Sequence, residues 1–279
     1  MSFGTAILKI INPLFPKRIH PFNLANEGVE TYAEWQYEKG RKTIQFYLER
    51  YTPEEMFQNK RVLDLGCGAA GKSLYYASLG AKEVIGVDMV ERYKAEAEAL
   101  AAKLGFEERF RFLLADAARL PLENGTVDTV IMNDFMEHVA DPPAVLAEAF
   151  RLLKPGGRIY INFPPYMHPF GAHLSDAINV PWVHLFFREK TMIAVYKELI
   201  ADLPDARERI NLRFSENEKG EPTISYINKM SIKRFKAILK EANIKPIYWR
   251  ETPLRPALRI PAKILPEFFV GMVTCILGK

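Results

Sequence analysis

Between residues 61 and 163 the chain alternates short apolar runs with longer segments that carry a helical pattern. Each apolar run stops at glycine or polar residues, which predicts a strand. The predicted strands cover residues 61–65, 83–88, 110–114, 126–132 and 158–163. The helical patterns between them cover residues 72–78, 91–104 and 142–153. This alternation favours a parallel sheet with helices on both faces.

Outside this region the pattern is less regular. In chain order we predict an irregular arm over residues 1–26, a helix over about 28–50, a partly helical insertion over 164–225, a helix over 231–242, and strands over 245–252 and 268–277. Prolines are the reason for the irregular arm and for the broken pattern in the insertion.

We therefore divide the chain into four segments. They are an N-terminal arm and helix that cover the active site (1–55), a cofactor-binding core (56–165), a lid or substrate insertion (166–228), and a C-terminal completion of the sheet (229–279). With 279 residues, one large α/β domain carrying an insertion fits better than two separate domains.

A glycine-rich loop, Gly66-Cys67-Gly68-Ala69-Ala70-Gly71, lies between the first predicted strand and the helix after it. Glycines there let the backbone approach a ligand closely. The spacing also fits a dinucleotide fingerprint, with Asp88 as the ribose-binding acid. However, Asp64 just before the loop would repel a pyrophosphate, whereas it can hold a cationic methionine moiety. Asp116, at the end of the third strand, can accept a hydrogen bond from adenine. These neighbours favour S-adenosylmethionine over a nicotinamide dinucleotide.

Five segments together resemble the successive motifs of class I S-adenosylmethionine-dependent methyltransferases. They are Val62-Leu63-Asp64-Leu65-Gly66-Cys67-Gly68, Val84-Ile85-Gly86-Val87-Asp88, Leu114-Ala115-Asp116-Ala117-Ala118-Arg119-Leu120-Pro121, Phe135-Met136-Glu137-His138-Val139 and Leu153-Lys154-Pro155-Gly156-Gly157. The resemblance covers about 60–165 by motif and about 231–279 by topology. It implies a Rossmann-like α/β fold with a seven-stranded, mostly parallel sheet, an antiparallel last strand, and a partly helical insertion after strand five.

The resemblance also implies S-adenosylmethionine as the cofactor and a role for the glycine loop. Asp64, Gly66 and Gly68 would line the methionine side of the cofactor. The loop departs from the usual G-x-G-x-G pattern because Ala70 replaces the third glycine, with Gly71 following. We expect Ala70 to be tolerated if its φ is negative.

The residues after strands two, three and four would complete the implied cofactor site. Asp88, followed by Met89, would accept hydrogen bonds from both ribose hydroxyls. Asp116, with the backbone at Ala117, would hold the adenine, and Asn133 would lie beside the methionine and the transferable methyl group. The alternative for the aspartates is that they only cap helices or turns at strand ends.

Histidines are the candidate catalytic residues, because methyl transfer to an acidic acceptor can use a base that titrates near neutral pH. The first candidate is His173, with His168 and His138 after it and His184 less favoured. Asp176 could fix an imidazole; alternatively, these residues cap turns in a proline-rich lid. Metal ligation by this group matches no motif, so we expect no metal.

Charge and cysteine content narrow the class of partner. With 38 basic and 34 acidic residues the net charge is +4, which is too mild to predict nucleic-acid binding. The alternating charges at 207–213 predict a solvated face.

Two distant cysteines, and no signal-peptide pattern at the start, favour the cytoplasm. The apolar runs at 6–13 and 268–277 are too short to span a bilayer, although the first leaves weak peripheral membrane contact open.

The sequence therefore predicts methyl transfer by in-line displacement to a small, apolar or aromatic molecule. Aromatic residues in the arm and insertion suggest an apolar pocket; the alternative is that they pack the insertion's own core. Three other hypotheses are weighed against this one: a methyltransferase for RNA or protein, a non-catalytic S-adenosylmethionine-binding protein, and a nicotinamide-dependent oxidoreductase.

Overall fold

The chain forms two compact units, here called the sheet unit and the insertion unit. The computed structural model describes residues 3–28 and 31–279. The sheet unit contains residues 31–163, 233–252 and 272–279, and the insertion unit contains residues 3–28, 164–232 and 253–271. The expected N-terminal segment 1–55 is thus divided between the two units, and residues 29–30 of its predicted helix lie outside the described residues.

Most strands belong to one mostly parallel sheet. The described residues form nine strands: β1 Arg61–Leu65, β2 Glu83–Asp88, β3 Phe110–Leu114, β4 Val127–Asn133, β5 Leu153–Phe163, β6 Phe214–Glu216, β7 Pro222–Ile224, β8 Tyr248–Pro253 and β9 Val270–Gly278. Seven of them follow the order β3-β2-β1-β4-β5-β9-β8, and β6 and β7 form a separate hairpin. Strands β1 to β5 pair in parallel, whereas β9 runs antiparallel to β5. This confirms the predicted fold class.

Helices flank the strands in the order that the sequence indicates. The described helices are α1 Phe3–Ile11, α2 Pro21–Asn26, α3 Tyr32–Ile44, α4 Pro53–Phe57, α5 Gly71–Ser78, α6 Arg92–Leu104, α7 Pro142–Leu152, α8 Val183–Phe186, α9 Glu189–Leu199, α10 Ala206–Arg213, α11 Ile232–Glu241, α12 Arg259–Ile264 and α13 Pro266–Phe269. Thr31 and Glu34 form a capping box that begins α3. Gly105 ends α6 in the left-handed conformation, as its position after the helical pattern predicts.

The central strands are buried along almost their whole length. In β1 the four residues after Arg61 are buried, and in β4 six of seven residues are buried. Continuous burial is typical of a parallel sheet with cover on both faces. The carboxyl ends of β1 to β5 consequently share one edge, called here the carboxyl edge.

Three predicted boundaries need correction. The fifth strand begins at Leu153 instead of 158, and it already pairs with β4 there, before a register shift between Val127 and Thr129. The penultimate strand begins at Tyr248 instead of 245, after an exposed loop. The last strand begins at Val270, because Pro266 starts a short helix through Phe269.

The prediction of an irregular arm over residues 1–26 is wrong for most of its length. Residues Phe3–Ile11 form α1, a 3₁₀ turn covers Asn12–Leu14, and Pro21–Asn26 forms α2. Pro21 occupies the first turn of α2, where proline is tolerated. The side chain of His20 accepts a hydrogen bond from the Phe22 amide and so caps this helix.

The insertion unit has its own apolar core, and its insertion is partly helical, as predicted. Buried residues from α1, the 172–183 segment, α9 and the β6–β7 hairpin form one cluster. Leu8 of α1 is fully buried in it together with Val195 and Tyr196 of α9. The aromatic and aliphatic residues of the insertion therefore pack at least in part against one another.

Candidate cofactor and active site

The ends of β1, β2 and β3 bring the glycine loop and two aspartates to neighbouring positions on the carboxyl edge. The backbone amides of Gly66 and Cys67 both donate to the carbonyl of Val87, at 2.9 and 3.0 Å. Asp88 follows directly, and in the next pair of strands it lies opposite Leu114, two residues before Asp116. The sequence predicted this neighbourhood from strand ends alone.

The glycine loop has no room for side chains at the positions where glycine was predicted to matter. Gly66 and Gly68 have φ values of +74° and +58°. A Cβ on Gly66 would overlap the ring of Phe135, and a Cβ on Gly68 would lie 2.8 Å from Nε2 of Gln36. The Gln36 side chain, from α3, donates to the Cys67 carbonyl and accepts from the Gly71 amide. Helix α3 therefore holds the shape of the loop.

Ala70 contradicts the expectation of a negative φ. Its φ is +58° and its ψ is 15°, in the left-handed region just before α5 begins. The tight turn from β1 into α5 requires this conformation, although the residue carries a Cβ. An alanine there bears a strain of roughly 1 kcal/mol.

Asp88 is oriented by the loop that it follows. One carboxylate oxygen accepts from the Gly68 amide at 2.8 Å, and the other accepts from the Val90 amide at 3.0 Å. Burial raises the pKa of Asp88, and these amide donors oppose the rise. The neighbouring Met89 is 71% exposed, so a large apolar side chain stands open beside the carboxylate.

Asp116 lies two residues after the end of β3 and has an exposed carboxylate. Its Oδ1 accepts from the Ala118 amide at 2.9 Å, which is the turn-capping contact that we weighed as the alternative to a cofactor role. The side chain of Ala117 is buried beneath it. The same position thus combines a turn cap with an acceptor that faces solvent.

Asp64 is buried at the end of β1. Its Oδ2 accepts from the hydroxyl of Ser73 at 2.6 Å. Burial raises the pKa of Asp64 to about 7, while Ser73 and the charge of Lys72 oppose the rise. A group with this pKa titrates in the physiological range, which sequence reasoning did not indicate.

Asn133 is buried at the end of β4 in a network of neutral side chains. Its Oδ1 accepts from the Tyr47 hydroxyl at 2.5 Å and from Asn162 Nδ2 at 2.6 Å. Its Nδ2 donates to the Tyr76 hydroxyl at 2.9 Å. Asn162 also accepts from the Asp134 amide, so the network fixes the ends of β4 and β5. The hydrogen bonds of Asn133 are therefore committed to protein groups.

Glu137 was not among the predicted site residues, although it lies in a quoted motif. Its side chain is buried, and neither carboxyl oxygen has a hydrogen-bond partner among the described residues. Burial, followed by the charge of Asp134, raises its pKa well above the usual value. Nε2 of His138 lies 3.8 Å from its Oε1. A polar pair directly after strand four was the available sequence signal for this group.

The structure distributes the predicted histidines between the two units. His138 lies in the sheet unit beside Glu137, whereas His168 and His173 lie in the insertion unit. His168 Nδ1 accepts from the Phe170 amide at 3.1 Å, and burial lowers its pKa to about 4. His173 has a φ of +52°, and its ring lies 6.4 Å from that of Tyr226.

Asp176 binds arginines and a tyrosine, instead of the imidazole that we considered. Its Oδ2 accepts from Tyr196 at 2.6 Å and from Arg209 at 3.0 Å, and it lies 3.3 Å from Arg213 Nη2. Both arginines are buried, at 1% and 2% exposure. The prediction of a solvated face at 207–213 is therefore wrong for this pair, one helical turn apart in α10.

The strand order, the glycine loop and the carboxylates at the end of β2 and just after β3 are similar to those expected of a class I S-adenosylmethionine-dependent methyltransferase domain. The loop backbone forms a cradle that Cβ atoms would fill, and carboxylates stand at the ends of β2 and β3. These features fit the methionine, ribose and adenine parts of that cofactor.

Comparison with known proteins agrees with this class. The model of a family described as "Methyltransferase domain" matches residues 63–161. Tocopherol O-methyltransferase from Arabidopsis thaliana is 37% identical over 108 residues, which are 39% of this chain and 31% of that protein. Ubiquinone biosynthesis O-methyltransferase from Pseudomonas fluorescens (strain SBW25) is 35% identical over 103 residues, which are 37% of this chain and 44% of that protein. The matches thus span less than half of these relatives.

A solved structure shares the fold over most of the chain. The cyclase SpnF aligns with a TM-score of 0.55 at 17% identity, over 88% of this chain and 82% of that one. At this identity the likeness concerns the fold alone.

Proposed function

We propose that this protein transfers a methyl group from S-adenosylmethionine to a small, apolar or aromatic molecule. The observation that carries the proposal is the glycine loop joined through Val87 to Asp88 at the carboxyl edge. The tocopherol and ubiquinone-biosynthesis O-methyltransferases, which match this region, support an acceptor of that class. The finer assignment to the cytoplasm rests on the two cysteines, Cys67 and Cys275, which are both free and buried.

Each part of the cofactor has a proposed partner in the sheet unit. Asp88 would accept from the ribose hydroxyls, with Met89 packing beside the nucleoside. Asp116 and the backbone at Ala117 would hold the adenine. The bound cofactor supplies a methyl group on a sulfonium, which is already activated for displacement. The protein then has to position the acceptor in line with it.

The methionine side would be held by the loop and by buried acid groups. Gly66 and Gly68 offer backbone without side chains, and the buried Asp64 lies two residues before the first of them. A cationic ligand favours the ionised form of a nearby carboxyl, so binding would lower the raised pKa of Asp64. Asn133 stays a proposed neighbour of the methionine, although its amide bonds to Tyr47, Tyr76 and Asn162 indicate that it orders the strand ends.

We propose Glu137 and His138 as the acid–base pair of the sheet unit. A buried carboxyl without a hydrogen-bond partner can take a proton from an imidazole at 3.8 Å or give one to it. His138 would then accept the proton that a phenolic or similar acceptor loses. His173 and His168 remain predicted alternatives; the lowered pKa of His168 would keep it neutral at pH 7 but also makes it a weak base, which favours His138.

The test is ligand binding followed by methyl transfer. S-adenosylmethionine and S-adenosylhomocysteine should raise the melting temperature by several degrees at about 100 times their dissociation constants, whereas NAD should not. Asp88→Ala should weaken both adenosyl ligands at least about tenfold, through loss of charge-assisted hydrogen bonds. The exposed Glu107→Ala serves as the matched control. A shift with NAD alone would reject the proposal.

A second candidate is an S-adenosylmethionine-binding protein that catalyses another reaction. It is favoured by one observation, that the contacts of the glycine loop and of Asp88 concern cofactor binding alone and therefore fit this candidate equally well. Isotope-labelled methyl groups distinguish the two functions. Binding of the cofactor without transfer of label to any member of a phenol, quinol and amine panel would favour this candidate.

A further inference from the structure

Large apolar side chains are strongly exposed on the insertion unit. The described large hydrophobics with at least 70% exposure are Phe3, Ile10, Leu14, Ile19, Met89, Phe186, Ile260 and Ile264. All except Met89 belong to the insertion unit. Single exposed apolar residues are ordinary, but a concentration of them marks an interaction surface.

The first group of exposed apolar side chains lies in residues 255–265, called here the α12 segment. Ile260 and Ile264 lie one helical turn apart, both 72% exposed, and Leu265 follows at 52%. Arg259 and Lys263 have the same spacing beside them and are also exposed. Ala262 is buried, so the helix packs by its small residue and turns its isoleucines to solvent.

The charge of the α12 segment has one sign. Residues 253–266 contain Arg255, Arg259 and Lys263 and no aspartate or glutamate. Arg255 is exposed as well. Aliphatic side chains whose charged neighbours within 253–266 are all cations match a surface that is apolar inside and anionic outside. A protein partner with an apolar patch would not by itself require this uniform positive charge.

The second group of exposed apolar side chains lies in residues 3–19, called here the N-terminal segment. Leu8 is buried, while Phe3, Ile10, Leu14 and Ile19 point outward. Lys17 and Arg18 are exposed next to Ile19, and no acidic residue occurs before position 27. Lys9 is engaged by Glu198 at 2.5 Å and does not count toward the free positive charge. The two segments thus repeat one composition.

We propose that the α12 segment, aided by the N-terminal segment, binds an anionic lipid bilayer surface. The isoleucines would enter the boundary between headgroups and acyl chains, and the arginine and lysine groups would bind lipid phosphates. None of the described helices has the length and apolarity to cross a bilayer. This inference goes beyond the proposed function, because membrane binding does not require methyl transfer.

The test is co-sedimentation with vesicles of phosphatidylcholine alone or with about one third phosphatidylglycerol. The protein should bind the anionic vesicles but not the neutral ones. Binding should weaken as the salt concentration rises. Ile260→Ser/Ile264→Ser should weaken binding at least about tenfold, through lost apolar burial. Arg259→Glu/Lys263→Glu should weaken it by a similar factor and remove the preference for anionic lipid.

Matched controls lie in the sheet unit. Lys240→Glu/Lys245→Glu makes the same charge change at exposed positions, and Ile247→Ser removes an exposed isoleucine that is 44% accessible. All variants should melt within a few degrees of the parent. The proposal is overturned if the parent ignores anionic vesicles at low salt, or if the controls lose as much binding as the α12 variants.

Two further readouts distinguish the bilayer contact from self-association and from cofactor binding. Light scattering without lipid detects an interface between copies of this chain. Self-association that disappears in Ile260→Ser/Ile264→Ser, together with no vesicle binding, would assign the surface to that interface and reject the bilayer. The melting shift with S-adenosylhomocysteine, measured on the same samples, reports on the proposed function independently. Either proposal can therefore fail alone.

Discussion

The network around Asn133 in the sheet unit and the charge cluster around Asp176 in the insertion unit bury polar groups in different ways. In the sheet unit, Asn133 and Asn162 bind neutral partners, and all three polar contacts of Asn133 are 2.9 Å or shorter. In the insertion unit, Arg209 and Arg213 share Asp176, while one Nη of each arginine and Oδ1 of the aspartate have no hydrogen-bond partner among the described residues. In the neutral network, neighbouring side chains supply the hydrogen-bond partners of each polar group. In the charge cluster, each buried charge is stabilised by the opposite charge beside it.

The outer surfaces of the two units differ as well. Seven of the eight described large hydrophobics that are at least 70% exposed lie in the insertion unit, and the other is Met89, beside the proposed cofactor site. Among its described residues, the sheet unit thus exposes such a side chain only where a ligand is proposed. This difference is the reason for proposing a binding surface on the insertion unit.

The largest effect should come from breaking the buried charge cluster. Asp176→Ala leaves two buried arginines without their shared carboxylate, so the free energy of unfolding should fall by about 3–5 kcal/mol. Glu198→Ala, which breaks the exposed pair with Lys9 in the same unit, should cost less than about 1 kcal/mol. Urea denaturation measures both. Equal losses would show that burial does not set the strength of these pairs.

Two buried groups, Asp64 in the sheet unit and His168 in the insertion unit, should change the free energy of unfolding with pH in opposite directions. Because the pKa of Asp64 rises from 3.8 to about 7 on folding, the folded chain holds a proton that the unfolded chain releases. This group therefore lowers the free energy of unfolding as pH rises from about 4 to about 7, by at most about 1.4 kcal/mol per pH unit. Asp64→Asn should gain stability relative to the parent across that range, measured by denaturant titration at each pH.

The pKa of His168 is shifted downward, so its effect on stability has the opposite pH dependence. Its folded pKa of about 4 lies below the usual 6.5, so the unfolded chain takes up a proton first as pH falls. His168 therefore stabilises the folded protein increasingly as pH rises from about 4 to 6.5, and His168→Gln should lose that dependence. For each variant the quantity to compare is its free energy of unfolding minus that of the parent. If this difference changed with pH in the same direction for both variants, the assigned environments would be wrong.

A smaller effect should follow from opening the neutral network. Tyr76→Phe removes the acceptor of Asn133 Nδ2 and leaves a buried donor unsatisfied, which should cost about 1–3 kcal/mol. Tyr248→Phe removes an exposed hydroxyl bound to Glu49 and should cost less than about 0.5 kcal/mol. Chemical denaturation compares the pair. A loss for Tyr76→Phe no larger than for the control would show that the network is not strongly held.

The smallest effect concerns the glycine loop. Ala70→Gly should raise the free energy of unfolding by about 0.5–1 kcal/mol, because glycine adopts a φ of +58° without strain. Gly68→Ala places a Cβ 2.8 Å from Gln36 Nε2 and should destabilise the loop instead. Melting temperatures of the two variants should therefore move in opposite directions. A stabilised Gly68→Ala would contradict the described contact between the loop and α3.

Local patterns in the sequence were enough to predict the sheet and the order of its motifs. Strands buried on both faces have continuous apolar runs, and Gly66, Gly68 and Asp88 stand directly at strand ends. Glu137 was missed because its significance lies in what surrounds it, a buried setting with no hydrogen-bond partner for either oxygen among the described residues. Sequence spacing carries no information about the absence of a partner.

The sequence by itself determined the fold class and the positions of the loop and the strand-end carboxylates, since these depend on residues close together in the chain. Only the tertiary structure decided which charges are buried. Arg209 looks like a surface residue in its own helix, yet Asn23 and Asp176, 186 and 33 residues away, enclose it. Likewise, the positive φ of Ala70 and the exposed isoleucines of α12 follow from how distant segments pack. Burial is a property of the whole fold, and it sets both pKa and the cost of an unpaired charge.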